Sequence, residues 1–266
     1  MFDSGFGGLT VARATIDLLP GEDLVYLGDT ARYPYGAKPL DEVREYAIEI
    51  AEYLVDRHHI KYLVVACNTA AAAALTDLQE LLPVPVMGVI DPGVRAALSA
   101  TETGRVAVIG TVGTIGSGAY REAFDSIDPL VELTSCACPG FVEFVERGDT
   151  EGAQVGILAE RLLAPVVAAN VDTLLLGCTH YPYLARTIGQ VMGHGVVLVS
   201  SADETAFALA ADLERLGLKH PQPDGQLRTG WQHFISSGDE RVFAQLGSRL
   251  FGPELIDAQR WEPHAS

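Results

Sequence analysis

Apolar runs that do not alternate are what most restrict how this chain can fold. DLVYLG (Asp23–Gly28), KYLVVA (Lys61–Ala66), VPVMGVI (Val84–Ile90), RVAVIG (Arg105–Gly110), DTLLLG (Asp172–Gly177) and GVVLVS (Gly195–Ser200) are dense in Val, Leu and Ile. A strand with one wet face alternates apolar and polar residues. A strand covered on both faces does not, and that is the situation of a parallel sheet flanked by helices. Helical spacing appears between the runs: in Asp41–Asp56, the residues Val43, Ala47, Ile50 and Leu54 fall on one face. The alanine tract Ala70–Ala74 is good helix former and is expected to pack closely on a sheet. Strand–helix alternation of this kind predicts an α/β, doubly wound fold with parallel-type sheets.

At 266 residues the chain exceeds a comfortable single core. The reading divides it into two α/β domains: residues 1–97 plus 205–266 as a discontinuous first domain, and 98–204 as the second. The break falls between Asp91-Pro92-Gly93 and Thr103-Gly104, where a loop and helix precede a fresh strand, and a long helix from about Ser201 carries the chain back.

The formal charge is −17, from 18 Lys+Arg against 35 Asp+Glu. Such a surface repels phosphate backbones and anionic lipid heads, which disfavours nucleic-acid and membrane-surface binding but leaves room for a locally electropositive pocket. Met1-Phe2-Asp3-Ser4-Gly5 has no basic segment leading into an apolar run, so no signal peptide is expected. No stretch reaches the roughly 20 apolar residues that span a bilayer. With only four cysteines, Cys67, Cys136, Cys138 and Cys178, a reduced, cytoplasmic protein is expected.

Two of those cysteines stand in matched surroundings. KYLVVACNT and DTLLLGCTH both read as apolar strand, small residue, Cys, then two polar residues. Cys67 and Cys178 thus sit where a buried strand ends and a helix is predicted to begin, the edge of a doubly wound sheet that lines its ligand crevice. A helix N-terminus there lowers a thiol's pKa and offers N–H groups to a carboxylate. A single cysteine in such a place is commonly a small buried hydrophobe; two, one per half, point to a working pair. Close together they can form a redox disulfide, although neither belongs to a C-x-x-C. Held apart by a substrate, they can act as acid and base on opposite faces of one carbon and invert it.

That chemistry needs no metal or redox cofactor. Lys38, Lys61 and Lys219 are the only lysines, and none has a pyridoxal context. Gly5-Phe6-Gly7-Gly8 matches a phosphate loop only loosely. Asp3, just before it, either orients a thiol, holds a substrate ammonium, or caps a helix. His180 shares a loop with Cys178 and can donate to a thiolate or a carboxylate. Tyr35-Gly36 forms a Pro/Gly turn that can cover a ligand, and Cys136 and Cys138 read as packing residues, with no zinc-site spacing.

These residues carry a resemblance. DSGFGGLTV (Asp3–Val11), GDTARYPYG (Gly28–Gly36), ACNTA (Ala66–Ala70) and LGCTHYPYL (Leu176–Leu184) resemble the glutamate racemases of bacterial cell-wall synthesis, with wording closest to actinobacterial members. GVIDPG (Gly88–Gly93), VIGTVGTIGSGAY (Val108–Tyr120), ACPGFVEFVERG (Ala137–Gly148) and SSADETA (Ser200–Ala206) extend it in family order. The resemblance implies cofactor-independent, two-base interconversion of L- and D-glutamate in a cleft between two α/β domains, supplying D-glutamate for peptidoglycan. It implies that Cys67 takes the α-proton from D-glutamate and Cys178 from L-glutamate. Asp3 and His180 become their polarising partners and Glu146 an auxiliary acid, although Glu146 alone reads as a solvated helix residue. Substrate contacts are implied for Asp3, Ser4, Tyr35, Gly36, Asn68, Thr69, Thr179 and His180. The family's first strand begins before DSG, and of it this sequence holds Met1 and Phe2, so Asp3 is expected to be less firmly held. A related aspartate or hydantoin racemase on the same scaffold is the alternative enzyme. A homodimer is compatible with the resemblance. Some family members inhibit DNA gyrase, so an interaction protein presenting an acidic surface to that partner is the alternative of a different class.

Overall fold

A computed structural model describes residues 1–221 and 228–263. Strands β1 (Phe2–Asp3), β2 (Leu24–Gly28), β3 (Leu63–Val65), β4 (Val86–Gly88), β5 (Arg105–Gly110), β6 (Glu132–Ala137), β7 (Thr173–Gly177), β8 (Val197–Ser200), β9 (Gln232–Ser236) and β10 (Gln259–Arg260) form two sheets. The first runs β10-β9-β2-β1-β3-β4 and the second β6-β5-β7-β8. Every pairing in both is parallel. The fold is α/β with two parallel-sheet domains, as the unbroken apolar runs predict.

Each predicted strand is present: Arg105–Gly110 keeps its predicted bounds, and the other five are trimmed at one or both ends. The largest trimming is at Val84–Ile90, where pairing covers only Val86–Gly88, because Pro85 has no N–H to contribute to a ladder. Asp91-Pro92-Gly93 lies in the first turn of helix Ile90–Ala100 rather than in a loop; there the missing N–H of Pro92 leaves no intrahelical bond unmade. The predicted helix over Asp41–Asp56 spans Leu40–His58 and buries Val43, Ala47, Ile50 and Leu54. β6 escaped the sequence reading since ELTSCA is a half-exposed edge strand with no apolar run. β9 and β10, which extend the first sheet beyond β2, escaped it too.

Side chains alternate between two layers. Val25, Leu27, Val65 and Ile235 enter one apolar cluster, while Leu24, Tyr26, Val64 and Phe234 enter another on the opposite face. Val106, Val108 and Leu175 of the second sheet join the first of these clusters, together with Ile90, Val94 and Ala97 of helix Ile90–Ala100. That shared layer fastens the two domains, each fully buried Val or Leu contributing about 1.5–3 kcal/mol. Ala107, Ile109, Leu174 and Leu176 face away from it onto helix Ala153–Ala168. Helix Ser201–Arg215 returns the chain, packing on helices Leu9–Leu18 and Ile90–Ala100. Among the described residues no helix is long and apolar enough to cross a membrane.

Candidate active site

In an all-parallel sheet every strand delivers its carboxyl end to the same edge, where the loops are free to carry polar groups. β1 and β3 are adjacent, so Asp3-Ser4 and Cys67-Asn68-Thr69 emerge side by side. β5 and β7 of the second sheet are likewise adjacent, delivering Thr111 and Cys178-Thr179-His180. The two edges face one another across a narrow cavity. Ser4, Tyr35, Gly36, Cys67, Asn68 and Thr69 line it from one domain, and Thr111, Cys178, Thr179 and His180 from the other. Asp3 and Glu146 stand behind this lining and reach it through Thr179 and His180.

Cys67 caps the helix Asn68–Leu81: the Ala70 N–H donates to its sulfur at 3.5 Å. Its own S–H points to the Ser4 hydroxyl, 3.7 Å away. The helix start favours the thiolate as expected, but burial works against it and is the larger effect. With the Asp3 carboxylate adding to burial, the thiol is pushed up to about 12. The expectation of a low-pKa thiol at this position is therefore corrected: Cys67 rests protonated.

The surroundings of Cys178 differ from the sequence reading. No α-helix starts at this strand end; a short 3-10 turn, Tyr181–Leu184, intervenes before helix Ala185–Met192, with Pro182 in its first turn. The partner of this sulfur is a side chain instead. Cys178 Sγ and His180 Nδ1 lie 3.9 Å apart, and His180 Nε2 lies 3.3 Å from Glu146 Oε1. Burial alone would lower the imidazole's pKa, but Cys178, Glu146 and Asp3 together raise it to about 10. Glu146, at the end of helix Phe141–Glu146, is a partner of the site rather than a solvated residue.

Asp3 is fully buried. It accepts from the Gly5 N–H at 2.9 Å and from the Thr179 hydroxyl at 3.3 Å, and its backbone C=O accepts from the Asp29 N–H. Burial raises its pKa, opposed by the His180 charge and by hydrogen bonds from Gly5, Gly8 and Thr179. Asp3 thus hydrogen-bonds the opposite domain's loop, while Ser4 is the group that touches Cys67. This crossing needs Gly7, where a Cβ would lie 2.3 Å from Thr179 Oγ1 and 2.5 Å from His180 Nδ1.

Two constellations were not legible in sequence. Thr69, Thr111 and Thr114 join their hydroxyls in a triangle across the domains, at 2.9–3.0 Å. The second constellation fastens the Tyr35-Gly36 turn. Asp29, fully buried, accepts from Arg32 Nε at 2.7 Å, from the Tyr35 hydroxyl and from the Ser237 hydroxyl at 2.5 Å. Arg32 also pairs with Glu49 and lies between the rings of Tyr46 and Trp261. Asp29 thus already engages the Tyr35 hydroxyl, in a turn whose Tyr35 and Gly36 both line the cavity. Cys136 lies on β6, and Cys138 just after it is buried. Among the described residues no group of three or more His, Cys, Asp or Glu is arranged to hold a metal ion.

Comparison with known proteins places these residues in context. Residues 10–243 match the family described as Asp/Glu/hydantoin racemase. Glutamate racemase of a Parafrankia species is 53% identical over 255 residues, covering 96% of this chain and 91% of that one. One isoform of glutamate racemase from Bacillus anthracis superposes with a TM-score of 0.90 at 40% identity, covering 98% of this chain and 95% of that one. Glutamate racemase from Francisella tularensis, solved in complex with D-glutamate, superposes with a TM-score of 0.87 at 30% identity, covering 99% and 95%.

Proposed function

The chain belongs to the Asp/Glu/hydantoin racemase family and is an isomerase, and on that premise we propose that it interconverts L- and D-glutamate with two thiols. The observation that carries this reading is the cavity itself: Cys67 and Cys178, each at a strand end of its own domain, line one narrow space together with Asn68, Thr69, Thr179 and His180. Hydroxyl, amide and backbone donors gathered there suit the carboxylates of an acidic amino acid, within a chain whose net charge of −17 would otherwise repel one.

The two thiols have unequal surroundings, and this sets the starting protonation. Cys67, pushed up to about 12, begins as the proton donor. To act as base Cys178 has to give up its proton, and His180 Nδ1, 3.9 Å from its sulfur, is the group placed to receive it, its imidazolium supported by Glu146 and Asp3. For L-glutamate, the Cys178 thiolate removes the α-proton, the electron pair stays on the α-carbon, and the Cys67 thiol delivers a proton to the opposite face. D-glutamate leaves, with Cys67 as thiolate and Cys178 as thiol; the reverse reaction starts from that state. Carrying the acid and base on separate residues allows each to stay on its own face of the carbon. The D-glutamate formed serves the cell-wall peptide, in the cytoplasm.

The test is incubation with D-glutamate in deuterated water, following the α-proton by NMR alongside optical rotation. Loss of both together is expected. Loss of the proton with rotation retained would leave only one working base, and no exchange with glutamate but turnover of aspartate would move the substrate to the shorter acid.

A further inference from the structure

Asn68 lies against the cavity with its side-chain amide divided in two. Its Oδ1 accepts from the hydroxyl of Tyr120 at 2.6 Å, within a buried contact. Its Nδ2 is buried and has no hydrogen-bond partner among the described residues, although Asn68 is only 3% exposed. A buried N–H donor left unpaired costs about 1–3 kcal/mol, so such a group calls for an acceptor that arrives from outside.

Tyr120 itself does not line the cavity. It comes from the opposite domain, as the second residue of helix Ala119–Ile127. Its ring edge lies over Gly177, where a Cβ would be 2.8 Å from Tyr120 Cε2. One side chain thus rests on the residue before Cys178 and hydrogen-bonds the residue after Cys67. A phenol can donate or accept. If the Asn68 amide were turned over, the cavity would meet a carbonyl oxygen, which repels a carboxylate. With Tyr120 donating to Oδ1, the amide instead keeps its unpartnered NH2 as a donor for a ligand. Burial raises the pKa of this phenol, so the donating proton stays in place through the neutral range.

We propose that Tyr120 is a positioning residue that locks the Asn68 amide with its NH2 group toward the cavity and thereby selects a carboxylate ligand. The inference rests on the glutamate reading for the identity of that carboxylate, but not for the lock itself. The hydroxyl also makes the recognition group of one domain depend on a residue of the other.

The experiment compares wild type with Y120F, N68A, N68D and Y120F/N68A. Y120F is expected to raise KM for both enantiomers by about tenfold while kcat changes by less than about threefold. The double variant is expected to be no worse than N68A alone, since Tyr120 acts only through Asn68. N68D keeps an acceptor for Tyr120 but presents no donors, and should lose binding as N68A does. A second readout is independent of turnover: NMR relaxation of the Asn68 side-chain NH2 in the free protein, rigid in wild type and mobile in Y120F. An unchanged KM in Y120F, additive losses in the double variant, or equal NH2 mobility in both proteins would overturn the proposal. Inactivity of wild type on glutamate would remove the glutamate reading while the relaxation comparison still decides the lock. If Y120F does not fold, the relaxation of the Asn68 NH2 in wild type decides: a rigid group supports the lock and a freely mobile one overturns it.

Discussion

Replacing Asp29 by Asn leaves the shape of the side chain and removes the charge at the centre of the turn that carries Tyr35 and Gly36. The carboxylate accepts three side-chain bonds, with Oδ2 serving both Arg32 and Tyr35 and Oδ1 serving Ser237. An amide has one acceptor oxygen. Turned toward Arg32 and Tyr35, it keeps those two as neutral-acceptor bonds and sets its NH2 toward Ser237, whose hydroxyl already accepts from the Ala31 N–H. Charge-assisted bonds are about twice as strong as neutral ones, so two weakened bonds and a poorer third cost about 2–3 kcal/mol. Arg32 keeps Glu49 as a partner, which holds the loss below the 3–5 kcal/mol of a fully orphaned buried charge. For a chain of this size that corresponds to a fall in Tm of about 5–10 °C. Thermal unfolding at neutral pH measures it, and steady-state kinetics on the same preparation should show KM rising several-fold with kcat less affected, because the turn lines the cavity without supplying a proton. A variant that melts within about 1 °C of wild type with unchanged KM would refute the account of the Tyr35-Gly36 turn as held by Asp29.

Cys67→Ala should reduce racemisation in both directions by at least about 10²–10⁴-fold. It should nevertheless still exchange the α-proton of L-glutamate in deuterated water through Cys178, and exchange of D-glutamate instead would reverse the assignment of the two faces. His180 is raised to about 10 by its partners, against 6.5 in the unfolded chain. It therefore contributes stability that is complete below pH 6.5 and is lost as pH rises through about 10. Removing one of those partners with Glu146→Gln should lower the His180 pKa by about a unit. This is read from its ring C–H resonance, and an unmoved titration would dissociate Glu146 from the imidazole.

The alternation of apolar strands and helices was legible because it is local: a strand covered on both faces must be apolar at successive positions, whatever its partners. The two cysteine motifs were legible for the same reason, since the end of such a run is visible in the run itself. Strand order was not. β1 lies between β2 and β3 and β9 extends beyond β2, pairings that sequence order does not express, and edge strands such as Glu132–Ala137 lack the apolar run that marks central ones.

The acidity of the thiols separates the two levels most clearly. Sequence put Cys67 at a helix start, which is correct and favours the thiolate. Only the closed cavity, with Asp3 beside it, supplies the burial that overrules the helix and keeps the proton on sulfur. At Cys178 the matched motif lacks the matched helix, and its partner His180 is itself set by Glu146, a residue 34 positions earlier in the chain. By itself the sequence determined where the continuous apolar strands would lie and which reactive groups would stand at their ends. Tertiary structure decided which groups share a cavity, Thr111 among them, and that Asp29 and Tyr120 stand behind it on Tyr35 and Asn68, because desolvation and hydrogen bonding depend on neighbours that the chain brings from far away.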